Sequence, residues 1–232
     1  MENKPESLYT RTEMMLGSEG TERLIGSHVA VFGVGGVGGH VAEAIARAGV
    51  GKITLVDPDS VSVTNLNRQM AALVSTIGKN KAEAMKERIA DINPECEVRA
   101  ILEFYSAETD EKFDFSEFDY IIDCIDSVKS KVAMILRAKR EGVRIISSMG
   151  AGNKLDITRF RVADIYKTAY DPLARAIRGE LKKAGVGELK VVFSDEVPTG
   201  ERLPGAPGSI SFVPGAVGLI LAGEVIRDIA GV

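Results

Sequence analysis

Residues 28–57 read HVAVFGVGGVGGHVAEAIARAGVGKITLVD, and this stretch decides the fold. His28–Gly33 is a short apolar run of strand type. Val37–Ala48 places its apolar residues at helical spacing, and Lys52–Asp57 is a second strand. Between the first strand and the helix lies Gly33-Val34-Gly35-Gly36-Val37-Gly38, a GxGxxG turn. Asp57 closes the second strand, about 20 residues further on. Glycines there permit a tight turn and let backbone N–H groups approach a phosphate at the helix N-terminus, while the acid can accept from ribose hydroxyls. The pattern specifies a nucleotide without saying which, so a nicotinamide dinucleotide stays open at this point.

Outward from that stretch the same alternation continues. Lys79–Ile92 predicts a helix stopped at Asn93-Pro94, and Glu97–Ile101 a strand. Asp119–Asp123 predicts a further strand, Val128–Glu141 a helix and Arg144–Ser147 another strand. The class is therefore α/β: a Rossmann-like, doubly wound, mostly parallel sheet with helices on both faces. After Gly150 the character changes. Thr158–Val162 and Lys190–Phe193 read as strands with the DPLARAIRGELKKAG helix of Asp171–Gly185 between them. Ser194–Gly208 reads as a loop, and Pro214–Ile229 as a small-residue apolar helix. The expected organisation is one integrated domain: an N-terminal helical arm at 1–27, a nucleotide-binding core at 28–150, and a C-terminal extension at 151–232 that completes the sheet.

Composition removes several classes. With 232 residues, 45% hydrophobic and 27% charged, the chain has the makings of a sizeable core and is not disordered. No run approaches the ~18–20 apolar residues of a membrane span. MENKPESLYTRTEMM has no apolar leader-like run, so the expected compartment is the cytoplasm. Cys96 and Cys124 are the two cysteines, too few for a disulfide framework or a four-cysteine zinc site. Lys plus Arg is 29 against Asp plus Glu 33, a net charge of −4. That balance excludes a general nucleic-acid coat but leaves local patches, for which Arg137–Arg140 and the set Arg175, Arg178, Lys182 and Lys183 are candidates. Either could equally be a solvated helix face.

The loop after the second strand, Asp57-Pro58-Asp59-Ser60-Val61-Ser62-Val63-Thr64-Asn65-Leu66-Asn67-Arg68-Gln69, is polar and sits where ligands bind in open α/β sheets. A dehydrogenase needs little more than the acid. Here Asn65, Asn67 and Arg68 follow, and Lys81 comes one turn into the next helix. Two cations beside a glycine loop suit a polyphosphate, whose departing pyrophosphate must be neutralised. Each cation taken alone reads as a surface charge. Asp126, at the end of DCID, could share Mg²⁺ with phosphate oxygens or could simply cap the helix that follows. Cys124 reads as a core thiol and not a nucleophile.

GVGGVGG, ITLVD, TNLNRQ, Lys81 and DCID together resemble the adenylating-enzyme family that contains the ubiquitin-activating enzymes and the bacterial ThiF and MoeB proteins. INPEC (92–96), IDSVKSK (125–131), DIYKTAYDPLAR (164–175) and GSISFVPGAVGL (208–219) resemble one branch of it, the tRNA threonylcarbamoyladenosine dehydratases. The resemblance implies that Gly33, Gly35, Gly36 and Gly38 form the phosphate loop for ATP and that Asp57 binds the ribose. It implies that Asn65, Arg68 and Lys81 contact the phosphates, that Asp126 holds Mg²⁺, and that Asp59 and Gln69 complete the nucleotide site. Arg68, Lys81 and Asp126 would be the catalytic set. Members can form homodimers in which an N-terminal arginine reaches the partner's ATP site, and Arg11 is the nearest candidate.

The implied reaction is ATP-dependent ring closure of threonylcarbamoyladenosine in tRNA. Adenylation of a ubiquitin-like or sulfur-carrier protein tail is the alternative and shares every ATP residue. The paired CxxC motifs of the sulfur-carrier activators are missing, so no zinc is expected, and no cysteine follows Cys124 to form a thioester. A sulfur-transfer partner is left open. Lys167, Thr168 and Asp171 match branch motifs without an assigned role.

Overall fold

The computed structural model describes residues 7–199 and 207–232; the middle of the expected 194–208 loop and residues 1–6 of the N-terminal arm lie outside them. Helix α1 (Thr10–Ile25) bends at Gly17 and leads into strand β1 (His28–Phe32). There follow α2 (Gly38–Ala48), β2 (Lys52–Val56), α3 (Lys81–Ile92), β3 (Glu97–Ile101), β4 (Tyr120–Asp123), α4 (Val128–Glu141) and β5 (Arg144–Ser148). Strand β6 (Phe160–Asp164), α5 (Pro172–Lys183), β7 (Lys190–Ser194) and α6 (Phe212–Ala230) complete the chain. No helix among the described residues is long and apolar enough to cross a membrane.

The seven strands order as β3-β2-β1-β4-β5-β7-β6 in one sheet. All neighbours run parallel except β6 against β7. The chain runs outward from β1 through β2 to β3, then returns to start β4 on β1's other side. The connections leaving the paired carboxyl ends of β1 and β4 therefore run to opposite sides, which opens the crevice where a doubly wound sheet takes its ligand.

Alternation along the strands feeds two cores. Val29 and Val31 face a core shared with α2, α3 and α6, whereas Ala30 and Phe32 face one shared with α4, α5 and the 105–118 segment. In the second core Phe32 packs edge-on to Tyr105 with ring centroids 5.3 Å apart, among Phe113, Phe115 and Phe118.

The expected Thr158–Val162 strand lies two residues later, at Phe160–Asp164. Asp156 accepts from both the backbone N–H and the hydroxyl of Thr158, at 2.9 and 2.5 Å. That local turn competes with the sheet ladder, so residues 157–159 form a 3-10 turn before pairing begins.

Candidate nucleotide site and the pocket beside it

The turn between β1 and α2 is shaped by contact. Gly33 has φ +87°, and a Cβ there would meet the Cys124 carbonyl oxygen at 2.8 Å. A Cβ on Gly38 would stand 1.8 Å from the Gly33 carbonyl oxygen. Gly35 is different: its nearest neighbour would be Gln69 Nε2 at 3.8 Å, so its face is open. No side chain caps α2, and Gly35, Gly36 and Val37 line a cavity in front of its N-terminus. Uncapped N–H groups and the helix dipole together favour an anion there.

That cavity, of about 390 Å³, also takes in Asp57, Asp59, Arg68, Gln69, Lys81 and Asp126. Nine of the expected residues thus meet in one place, Gly33 included. Asp57 is buried at the end of β2 and accepts from the N–H of Val34 at 2.6 Å and of Asp59 at 2.9 Å. Burial raises its pKa, against the opposing pull of the Lys81 ammonium. A carboxylate has about four acceptor positions, so two remain for hydroxyls. Lys81 is buried up to its head group and donates to the exposed Asp59 at 2.8 Å. Asn80 fixes this corner: it caps α3 through Ala82 N and donates to the carbonyls of Asp57 and Asp59. An Asn directly before a helix is the signal in the sequence for this cap.

Arg68 donates from Nη1 to Thr64 O and Asn67 Oδ1, each at 2.9 Å, and its Cγ would lie 3.6 Å from a Cβ on Gly36 of the glycine loop. Gln69 Oε1 is buried without a hydrogen-bond partner among the described residues. An orphaned acceptor and an open glycine face in one cavity fit a ligand that brings both a donor and a phosphate. Asp126 is exposed and makes no hydrogen bond or ion pair among the described residues. Its alternative as a helix cap is filled by Ser127, which accepts from Ser130 N. A single free carboxylate matches Mg²⁺ shared with phosphates, which needs one or two protein oxygens; no group of three or more His, Cys, Asp or Glu able to hold a metal occurs among the described residues.

Three expected residues stand apart from the cavity lining: Gly38, packed against the Gly33 carbonyl, Asn65 and Arg11. Asn65 is buried and its Oδ1 accepts from Ser62 N at 3.0 Å, closing a 3-10 turn. Arg11 lies exposed on α1. Conversely Glu103, Phe104 and Tyr105 line the cavity beyond β3 and were not expected. Their place at a strand's carboxyl end was the available signal.

Behind the site, Lys131 is fully buried and donates to Asp123 Oδ2 at 2.9 Å, Ser147 Oγ at 3.1 Å and Ser148 O at 2.8 Å. This pair ties the ends of β4 and β5. Cys124 is half-buried, and burial pushes its thiol up to about 12; Cys96 is pushed up to about 11. Burial thus disfavours the thiolate form of both.

A second pocket, of about 600 Å³, adjoins the first. Cys124, Ile125, Asp126, Ala151, Gly152 and Pro207 line both. Its far wall is Asn153, Lys154 and the start of α5 at Asp171–Leu173. Lys154 donates to Gly150 O at 2.7 Å and to Asp171 Oδ2 at 3.0 Å, and Asp171 caps α5 through Ala174 N. All of these side chains are buried, so the pair builds the wall.

Of the candidate basic patches, the one at 137–140 is largely neutralised. Arg137 donates to Asp110 and Glu141 and lies 4.3 Å from the Phe115 ring centroid, and Arg140 pairs with Glu141. Arg178 is likewise spent on the Ile165–Thr168 turn, and Lys183 on Glu180. Arg175 and Lys182 stay exposed.

A sequence profile described as the ThiF family matches residues 9–232. The chain is 46% identical over 240 residues to a tRNA threonylcarbamoyladenosine dehydratase of Bacillus subtilis (strain 168), covering 95% of this chain and 94% of that protein. It is 42% identical over 193 residues to the dehydratase of Escherichia coli (strain K12), covering 80% and 72%. The crystal structure of E. coli tRNA N6-threonylcarbamoyladenosine dehydratase in complex with ATP superimposes with a TM-score of 0.89 at 36% identity, covering 96% of this chain and 93% of that one.

Proposed function

The chain belongs to the ThiF family, and from that premise we propose that it is an ATP-dependent tRNA threonylcarbamoyladenosine dehydratase. The observation that carries this reading is Asp126, a carboxylate with no partner among the described residues, on the wall common to the nucleotide cavity and the second pocket. A substrate carboxylate in the second pocket would meet the α-phosphate of ATP there. Attack of that carboxylate on the α-phosphorus gives an acyl-adenylate and releases pyrophosphate. A nitrogen of the same modification then attacks the acyl carbon, loses its proton and expels AMP, so the ring closes and one water is lost overall. Free carboxylates are poor electrophiles, which is why ATP is consumed. Closure within one molecule gains from proximity, with effective molarities of roughly 10⁵ M or more for well-oriented groups.

The protein's part is positioning and charge. The uncapped α2 N-terminus and Gly35 receive phosphate, Asp57 takes the ribose, and Arg68 and Lys81 neutralise the departing pyrophosphate. Asp126 would hold Mg²⁺, whose chemistry is to screen the triphosphate oxygens. Gln69 donates or accepts at the nucleotide, and Asp59 keeps Lys81 turned inward. Asn65 acts from behind by setting the turn that carries Arg68. Residues 28–150 would serve ATP, and 151–232 would serve the nucleoside. A homodimer in which Arg11 reaches the partner's site, and a cytoplasmic location, belong to the same reading. Activation of a carrier-protein tail would use the same ATP residues, yet the pocket wall from Asp171 to Leu173 lies in the branch motif DIYKTAYDPLAR and not in the shared ATP motifs.

The test is to incubate the protein with Mg-ATP and tRNA carrying threonylcarbamoyladenosine, digest to nucleosides and measure mass. ATP-dependent loss of one water is expected. An unchanged nucleoside, with pyrophosphate exchange appearing only on addition of a small carrier protein, would move the assignment to tail activation.

A further inference from the structure

We propose that Tyr170 is a stacking platform for the nucleobase next to the adenosine that enters the second pocket, with Lys167 and Arg175 on the flanking phosphates. The proposal rests on the tRNA reading above and deepens it. Its basis is what the segment 164–175 leaves unused.

Almost every side chain there has a structural task. Asp164 accepts from Tyr166 N at 2.9 Å and Leu189 N at 3.0 Å, and Ile165 is buried. The Tyr166 hydroxyl donates to Val186 O at 2.5 Å. Thr168 donates to Ile165 O at 2.7 Å and is gripped by Arg178, whose Nη1 donates to Thr168 O at 3.1 Å and Oγ1 at 2.5 Å. Asp171 caps α5 and accepts from Gly150 N at 3.1 Å and from Lys154. The segment is therefore rigid.

What it holds outward is Lys167, Tyr170 and Arg175, exposed and without a side-chain hydrogen bond or ion pair among the described residues. Tyr170 is 70% exposed, yet its backbone has φ +58°. A bulky residue in the left-handed region is strained, and an unpacked ring returns nothing to the fold. Strain held by a rigid surround around an idle aromatic marks a residue kept for a ligand.

Position names the ligand. Tyr170 immediately precedes Asp171, Pro172 and Leu173, which line the second pocket. An adenosine of an RNA loop that enters the second pocket leaves its stack, and the neighbouring base is left with an uncovered face. An exposed tyrosine at the pocket mouth, flanked by two free cations on a chain of net charge −4, offers that face a replacement and the phosphates a local partner.

The test uses the full chain and an anticodon stem–loop RNA carrying 2-aminopurine beside the target adenosine. Tyr170→Ala and Tyr170→Gly should weaken binding by roughly fivefold to 150-fold, the span for losing one stacked base, and abolish the stacking signal of the probe. Tyr170→Phe, which keeps the ring, should bind like the parent. Tyr170→Gly should melt no lower than the parent, since glycine adopts positive φ freely, which separates lost stacking from lost folding. Lys167→Ala and Arg175→Ala should each reduce the slope of log affinity against log salt by about 1. The proposal is overturned if Tyr170→Ala binds the stem–loop as tightly as the parent, or if Phe fails along with Ala. A parent protein that does not bind the stem–loop overturns the tRNA reading as well.

Discussion

The α-carbon of Gly38 is pressed against the carbonyl of Gly33: a methyl added at 38 would lie 1.8 Å from that oxygen, whereas one added at Gly35 would find nothing nearer than 3.8 Å. The two glycines of one motif therefore do different work. Gly38 lets the helix start against the turn, and Gly35 leaves room for a ligand.

Substitution separates these roles. Gly38→Ala should cost about 1–3 kcal/mol or more by overpacking a backbone that cannot retreat. Gly35→Ala should unfold at the parent's denaturant midpoint but lose ATP affinity, because its methyl fills the space for phosphate. Urea unfolding and ATP titration of both variants check this; equal stabilities would refute the assignment of Gly38.

Asp126 has no structural partner among the described residues, so removing its charge should leave the fold alone. Asp126→Asn should keep stability within about 0.5 kcal/mol. AMP formation should fall by roughly 10²–10³-fold, the scale for losing one group that stabilises developing charge. Parent-like turnover would remove Asp126 from the catalytic set. A variant that failed to fold would show a structural role for the carboxylate.

Much of this was legible from residue spacing because the fold and the nucleotide site share a cause. A glycine turn between strand and helix is a short-range pattern, and an acid ending the next strand has a fixed place once strands run parallel. What was illegible depended on long-range geometry. Nothing near Arg137 in sequence announces Asp110 or Phe115, so a basic run reads as surface until folding brings them together. The resemblance makes Asn65 a phosphate contact, and no spacing announces that its Oδ1 also accepts from Ser62 N, three residues back. The antiparallel β6–β7 edge and the pocket wall made by Lys154 and Asp171 likewise join segments that no periodicity connects.

Lys131 and Asp123 form a fully buried ion pair beneath the site. Lys131→Met should destabilise the protein by about 3–5 kcal/mol, since it strands an ionised carboxylate in the core. Adding Asp123→Asn should restore part of that loss. Chemical denaturation of the single and double variants measures it; additive losses would mean the two side chains are not coupled.

With its thiol pushed up to about 12 by burial, Cys124 stays protonated through the neutral range. Alkylation should therefore be slow at neutral pH and accelerate only in strong base, and Cys124→Ala should still form AMP. A fast-reacting thiol, or a folded but inactive alanine variant, would point to covalent catalysis.

At the opposite end of the sheet Lys190 donates to Glu224 at 2.8 Å and to Asp228 at 2.7 Å, pinning α6 to β7. The hydrogen bond from Lys190 leads in holding Glu224 below the ordinary carboxylate range; for Asp228, burial pushes upward and the bonds from Lys190 and Tyr120 outweigh it. Carboxylates with depressed pKa stabilise the fold above their unfolded values, and the gain fades as pH falls through the folded ones. Lys190 is raised by the same partners against the opposing effect of burial, so its share is present below its unfolded pKa and is lost as pH rises through the folded one, at the alkaline extreme. Lys190→Met should therefore cost most at neutral pH and progressively less in acid, once Glu224 and Asp228 are protonated and no longer need the ammonium. Urea midpoints of parent and variant across the acid range test this. A stability gap that stays constant down to full protonation of both carboxylates would show that Lys190 acts through packing of its alkyl chain and not through its charge.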